Sequence, residues 1–223
     1  MTHHVHPYAH RLGIIRGWKS RWFAGKGKYR DLVRADGLIR EFLGKRLRGH
    51  FVAGLDIERG RKATKVIISS SRPGMIIGRQ GEGANRLRKD LARFLRRNEV
   101  EVTEDFKIDI VGVDSPESNA AIVANMVIDA LEKRMPFRRV MKQTIEKVMS
   151  VRGVKGARIV LAGRLGGAEM SRKEEVKRGG IPLQFIRADI DYHRDIARLP
   201  YGVIGVKVWI YKGDTLEKEQ YKD

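Results

Sequence analysis

The apolar positions of this chain change their spacing several times, and each change predicts an element. From Tyr29 to about Arg48 the pairs Leu32/Val33, Leu38/Ile39 and Phe42/Leu43, followed by Leu47, fit a helix interrupted near Gly37. Two strand-like runs come next, Phe51 to Glu58 and Thr64 to Ser70, parted by the turn Arg59-Gly60-Arg61. Leu87, Leu91, Phe94 and Leu95 then stand at i, i+4, i+7 and i+8, an amphipathic helix whose outer face carries Arg86, Lys89, Arg93, Arg96 and Arg97. Phe106 to Val113 alternates and reads as a strand. Ser115-Pro116 has the form of an N-cap with proline at the first helical position, opening a helix through Ala120, Val123/Ala124, Val127/Ile128 and Leu131 that stops at Pro136. A second helix is predicted from Phe137 to about Val151, and a strand from Ala157 to Ala162. Gly163 to Gly180 is polar and Gly-rich, and two long strands follow at roughly Leu183 to Tyr192 and Gly202 to Lys212. The order is αββααβ, ending near residue 113, and then ααβββ, an α+β chain in two parts.

Composition narrows the classes. With 42% hydrophobic residues in 223 there is apolar surface for a packed core, so a disordered basic tail is excluded. The absence of cysteine excludes disulfides, thiolate nucleophiles and Cys-ligated zinc. No apolar run approaches the roughly 18 residues of a membrane span, and His3, His4 and His6 stand where a signal peptide would be apolar, which points to a cytoplasmic protein.

Charge then changes the picture. The net charge is +19 and the sequence pI about 10.4, which makes the partner a polyanion. The excess is concentrated: residues 1–30 hold 7 basic and no acidic residues, 72–97 hold 8 and 2, and 132–158 hold 9 and 2. These three windows carry +20 and the rest of the chain −1, a distribution that favours three contact surfaces over general solubility. The first window, a basic arm over 1–30 with little regular structure, supplies Arg11, Arg16, Trp18, Lys19, Arg21 and Trp22 as candidate RNA contacts.

Gly78-Arg79-Gln80-Gly81 is a GXXG between a short apolar turn and the start of a helix. Glycine lets backbone press against a sugar-phosphate chain, and the following helix offers free N–H groups. Alone the pattern is weak. A strand before it, Ile76-Ile77-Gly78 leading in and a basic amphipathic helix after it form the context in which a KH domain clamps about four nucleotides. With the order αββααβ the stretch 31–113 resembles a type II KH domain, and the resemblance implies Gly78, Arg79, Gln80, Gly81, Arg86, Lys89 and Arg93 as its RNA-binding residues. A P-loop is excluded because no Gly-Lys-Ser/Thr follows.

Six separated stretches carry a resemblance: Val5-His6-Pro7 with Arg11-Leu12-Gly13-Ile14; Trp22-Phe23-Ala24; Arg72 to Gly78; Gly163 to Glu169; Arg187 to Tyr192; and Tyr201 to Ile210. In this order they closely resemble the family of the third protein of the small ribosomal subunit, bacterial type, from about residue 4 to 213. The resemblance implies a ribosome-bound, two-domain protein of the subunit head that binds ribosomal RNA and lines the messenger RNA entry channel. Its implied neighbours are small-subunit proteins ten and fourteen in the head, and four and five near messenger entry. It implies no cofactor and no catalysis. Gln80 departs from the small or basic residues often found inside this family's GXXG, and His3 and His4 replace a more usual Gln and Lys. The second α+β domain is expected over 114–212 and a polar tail without assigned role over 213–223.

On an ideal helix at about 100° per residue, Phe137, Val148 and Met141 share one face while Arg138, Lys142 and Arg139 share another arc. A solvated face with a Lys142–Glu146 pair accounts for the charges by themselves. The family resemblance instead implies that Arg138, Arg139 and Lys142 face incoming messenger RNA and help open its secondary structure.

Other constellations are weaker. His3, His4, His6 and His10 suggest a metal cluster, but without carboxylates or cysteines nearby the reading is no metal. Asp189 and Asp191 with Arg187 suggest a metal-dependent nuclease, against which stands cross-strand pairing with Lys207. Ser69, Ser70 and Ser71 have no histidine partner in any motif. Trp209 is expected under a helix. A free-standing KH RNA chaperone is the alternative to the ribosomal reading.

Overall fold

A computed structural model of the chain describes residues 5–60, 63–98 and 105–215, so His3, His4, Arg61 and the tail beyond Thr215 lie outside the described residues. The described residues form two compact units, one within 18–114 and one that joins residues 5–17 to residues 115–215.

In the 18–114 unit, β1 (Ser20–Arg21), β2 (Val52–Arg59), β3 (Ala63–Ser70) and β4 (Asp105–Gly112) make one sheet in chain order. β2 and β3 are antiparallel, whereas β1 pairs with β2 and β4 with β3 in parallel. Helix α2 (Lys26–Arg46), the short α3 (Pro73–Ile77) and α4 (Glu82–Arg97) bury one stripe each, Ile39 and Leu43 from α2, Ile76 from α3, and Leu87, Leu91 and Leu95 from α4. That i, i+4 repetition places these residues on Ile57, Val66, Ile68 and Phe106 of the sheet. The helix α2 is continuous through Gly37, against the interruption expected there. Gly37 is exposed with no atom within 4 Å of where a Cβ would stand, and its intrinsic cost of about 1 kcal/mol is outweighed by the buried stripe on either side. Within that stripe Asp36 is buried, holding Arg59 (Nε 3.0 Å) and the Trp22 indole N–H (2.8 Å).

The other unit is a four-stranded antiparallel sheet in the order β6-β5-β8-β7, from β5 (Gly156–Gly163), β6 (Arg172–Gly179), β7 (Ala188–Leu199) and β8 (Gly202–Asp214). Two helices, α5 (Ala120–Glu132) and α6 (Phe137–Met149), contribute to its core, and α5 packs on β7, β8 and α6. Pro116 belongs to a short 3-10 turn, so the cap of α5 is Asn119, which accepts from Ala121 N (3.0 Å) and Ile122 N (3.4 Å), and not Ser115.

Three further expectations from the sequence are corrected. β6 lies in the polar, Gly-rich stretch of 163–180, where no strand is expected, giving four strands instead of three. Its sequence Arg172-Lys173-Glu174-Glu175-Val176-Lys177-Arg178-Gly179 holds one apolar residue, because an edge strand needs only Val176 on the core and carries charge elsewhere. β7 begins at Ala188 and not near Leu183, since the carbonyls of Leu183 and Phe185 accept from the Arg11 guanidinium. The first thirty residues are not one arm: α1 (Pro7–His10) and Arg11 belong with the β5–β8 sheet, while β1 and the start of α2 belong with the other unit.

Candidate nucleic-acid interface

The loop after α3 is shaped by backbone conformation. Gly78 (φ 71°), Gln80 (φ 51°) and Gly81 (φ 81°) all take positive φ. Gln80 is the non-glycine among them, and a left-handed position costs such a residue about 1 kcal/mol or more. Arg79 and Gln80 are exposed, and Gly81 serves as N-cap of α4 without a side-chain cap, leaving the first N–H groups of a basic helix free of a capping side chain. A third glycine matters as much as the two in the motif. A Cβ on Gly83 would stand 2.5 Å from Ile76 O and 2.8 Å from Ile77 O, so α3 and α4 approach this closely only because residue 83 has no side chain. The sequence reading missed it; its signal is a glycine two residues past a GXXG, inside a helix. Arg86, Lys89 and Arg93 lie one to three turns along α4 on its outer side, and among the described residues only Arg93 of the three is paired, loosely, to Asp90 at 3.9 Å. Met75 and Ile77, 57% and 37% exposed, flank the loop with apolar surface.

The second basic surface is built on α6. Val140, Met141, Thr144, Ile145 and Val148 are buried, which turns Arg138, Arg139 and Lys142 outward as the helical arc requires. Arg138 is tied by Glu174 of β6 at 3.6 Å and lies over the Phe137 ring. Arg139 and Lys142 make no ion pair or hydrogen bond among the described residues. The expected Lys142–Glu146 pair is absent: Glu146 instead meets Arg178 of β6 at 3.7 Å. Edge strand β6 therefore adds Arg172, stacked on Phe137 at 5.4 Å, and Arg178 to this surface. Neither was foreseen, because the strand itself was not.

The N-terminal candidates divide. Arg11 is fully buried: its guanidinium donates to the carbonyls of Pro7, Leu183, Phe185 and Ala188, at 2.5–3.2 Å. Burial lowers its pKa from the ordinary value, Asp189 opposing the effect and Arg16 adding to it. Arg11 is thus a clamp of the fold and not an RNA contact, a role that charge counting cannot distinguish from an exposed cation. Arg16 is ion-paired with Asp189 (2.6 Å), and Arg21 with Glu58 (3.6 Å). The Trp22 indole is spent on Asp36, the Lys19 carbonyl accepts from Ile57 N and Arg40, and Trp18 remains 65% exposed.

The nuclease reading loses its site, since Asp189 is held by Arg16 and Asp191 accepts from the Ala120 N–H at the start of α5. Lys207 faces Arg194 across the strands, not an aspartate. Trp209 lies on the sheet face away from α5 and α6, because Ile204, Val206, Val208 and Ile210 occupy the core face. Among the described residues no group of three or more His, Cys, Asp or Glu side chains is placed to hold a metal, and no helix is long and apolar enough to cross a membrane.

A helix-strand-strand-helix-helix-strand unit with a glycine loop opening a basic helix, together with an α+β unit bearing a cationic helix, defines an RNA-binding protein of the KH class. Comparison with known proteins makes this particular. Residues 38–118 match the model of the KH domain, and residues 127–210 that of ribosomal protein S3, C-terminal domain. Small ribosomal subunit protein uS3 of Clostridium novyi (strain NT) is 41% identical over 222 residues, covering 100% of this chain and 97% of the relative. Its counterpart from Syntrophobacter fumaroxidans is 44% identical over 216 residues, covering 97% and 100%. The chain belongs to the family of small ribosomal subunit protein uS3, whose members are structural proteins and not enzymes.

Proposed function

We propose that this chain is held in the small ribosomal subunit by contacts with ribosomal RNA and borders the path by which messenger RNA enters. In this reading the loop Gly78, Arg79, Gln80, Gly81 and the helix face Arg86, Lys89, Arg93 grip the backbone of single-stranded ribosomal RNA, with Trp18, Lys19 and Arg21 as further contacts. The α6 residues Arg138, Arg139 and Lys142 hold a separated messenger strand by its phosphates, which lowers the free energy of the open form without a chemical step. Neighbouring proteins of the head, numbers ten and fourteen, and of the entry side, four and five, complete the setting.

The observation that carries the messenger role is the state of Arg139 and Lys142: exposed on a helix fixed by its buried face, and without an ion-pair partner among the described residues. The test is translation by subunits carrying Arg138→Ala, Arg139→Ala and Lys142→Ala together. Passage through a structured messenger should slow while an unstructured one is nearly unaffected; equal slowing of both defeats the proposal.

A further inference from the structure

Beyond the loop and α6, the sheet of the second unit has an outer face, opposite α5 and α6, that carries a built cavity. Its volume is about 280 Å³, room for more than a single water. The floor is apolar, with Val160, Leu183 and Pro7 among its lining. Its charged lining residues are Arg158, Lys173 and Lys207, with no carboxylate among them.

Three features of this face point to an anionic ligand with a planar, polar-edged part. Lys207 of β8 stands directly across from Arg194 of β7, and Arg158 of β5 across from Lys177 of β6; like charges opposite each other destabilise a sheet unless an anion offsets them. Glu175 satisfies Arg158 at 2.6 Å and approaches Lys173 at 3.6 Å, but Lys207 has no ion pair among the described residues. The donors are also unspent. The Arg158 Nε is buried without a partner, and neither the Trp209 indole N–H nor the Tyr192 hydroxyl makes a hydrogen bond among the described residues. Burial raises the Tyr192 pKa above its ordinary value, with Arg194 opposing the shift. The aromatic groups form a fixed row, Arg158 5.1 Å from the Trp209 ring and Trp209 5.1 Å from Tyr192, with His6 edge-on to Tyr192 at 4.7 Å.

We propose that this cavity receives one nucleotide unit of an RNA strand, its phosphate between Lys173 and Lys207, and its base and ribose against the apolar floor, within reach of the Trp209 N–H and Tyr192 hydroxyl. Arg158 is held in place by Glu175 and Trp209 and sets the wall rather than moving with the ligand. The cavity is thus a second RNA subsite, on a unit that has no KH loop, and it does not depend on the messenger role of α6.

The experiment follows the indole N–H signals of the full chain by NMR after labelling tryptophan with nitrogen-15. Trp209→Phe assigns the relevant signal against Trp18 and Trp22. The signal is titrated with the single-stranded trinucleotide ApApA, with AMP and with inorganic phosphate. The trinucleotide should shift the Trp209 signal saturably, and Lys173→Ala with Lys207→Ala should raise the apparent Kd about tenfold. An unmoved signal, or a Kd unchanged by the two lysine substitutions, overturns the site. A response to inorganic phosphate equal to that of the trinucleotide would make it an anion site only, and a stronger response to AMP than to ApApA would make it a free-nucleotide site; either result overturns the RNA assignment. Arg79→Asp with Gln80→Asp disables the KH loop and should leave the Trp209 response intact, so the two readings fail separately.

Discussion

Gly83→Ala adds one methyl group to a residue that need not touch RNA, and the structure gives the sign of its effect. The new carbon would lie 2.5 Å from Ile76 O, 2.8 Å from Ile77 O and 3.1 Å from Ile77 C, all backbone atoms at the end of α3. Restoring ordinary spacing requires α3 and α4 to separate by about 0.5–1 Å, because no flexible side chain can yield instead. Overpacking of this kind costs about 1–3 kcal/mol, and the gain from placing alanine in a helix offsets at most about 1 kcal/mol of it. A net destabilisation of about 1–2 kcal/mol follows. The movement falls on the segment that aims Gly78 and Gly81, so affinity for a short single-stranded RNA should drop severalfold as well. Gly37→Ala is the control: it is the same chemical change in mid-helix, with nothing within 4 Å of the new carbon, and should stabilise by about 0.5–1 kcal/mol. Urea unfolding of both variants, with RNA titration of each, reads the difference. If Gly83→Ala stabilises as Gly37→Ala does and binds RNA normally, the close approach of α3 and α4 does not set the loop.

Asp36→Ala strands the buried Arg59 and frees the Trp22 indole, and should cost about 3–5 kcal/mol in urea unfolding, a loss that Arg59→Met in the same chain partly restores; full loss in the double variant would show that the pair is not the cause. Arg11→Met removes charge-assisted bonds to four carbonyls and should cost at least about 3 kcal/mol while exposing the segment around Pro7 to limited proteolysis, and an intact proteolysis pattern would contradict the clamp. Replacing Arg86, Lys89 and Arg93 by alanine should flatten the salt dependence of RNA binding by about 0.7 in log–log slope for each phosphate no longer neutralised, and an unchanged slope excludes phosphate binding there. Of the three α6 cations, Arg139 and Lys142 should each impair passage through structured messenger more than Arg138, whose guanidinium is shared with Glu174; the reverse order would mean that Glu174 positions Arg138 rather than competing for it.

What the sequence made legible was whatever a local period could carry. Leu87, Leu91 and Leu95 announce α4, and Val140, Met141 and Val148 announce α6, because a helix buries one stripe and displays the other whatever lies beyond it. β6 was invisible for the complementary reason: at a sheet edge the partner strand supplies the pairing, and a run with Val176 as its one apolar residue has no period of its own. The start of β7 depended on Arg11, 172 to 177 residues earlier in the chain, taking carbonyls that a strand would have used. Trp209 was within reach of local reasoning. Val206, Val208 and Ile210 claim the core side, and a period of two sends Trp209 to the opposite face.

Charge needed the fold before it could be apportioned. The first basic window has one cation in the interior and three more paired with Asp189, Glu58 and Asp31, so it contributes less to an RNA surface than its sequence suggests. The third window gained, because β6 brings Arg172 and Arg178 onto the α6 side of its sheet and Lys173 and Lys177 onto the other. One edge strand, with its side chains alternating between faces, therefore supplies cations to both surfaces of the second unit. The same alternation requires that a shift of β6 by one residue exchange the two sets, moving Glu174 off Arg138 and placing it beside Arg158 in exchange for Glu175. Val176 holds the register against such a slip by its place on the core, so the one apolar residue in the strand determines which charges lie on which face of the sheet.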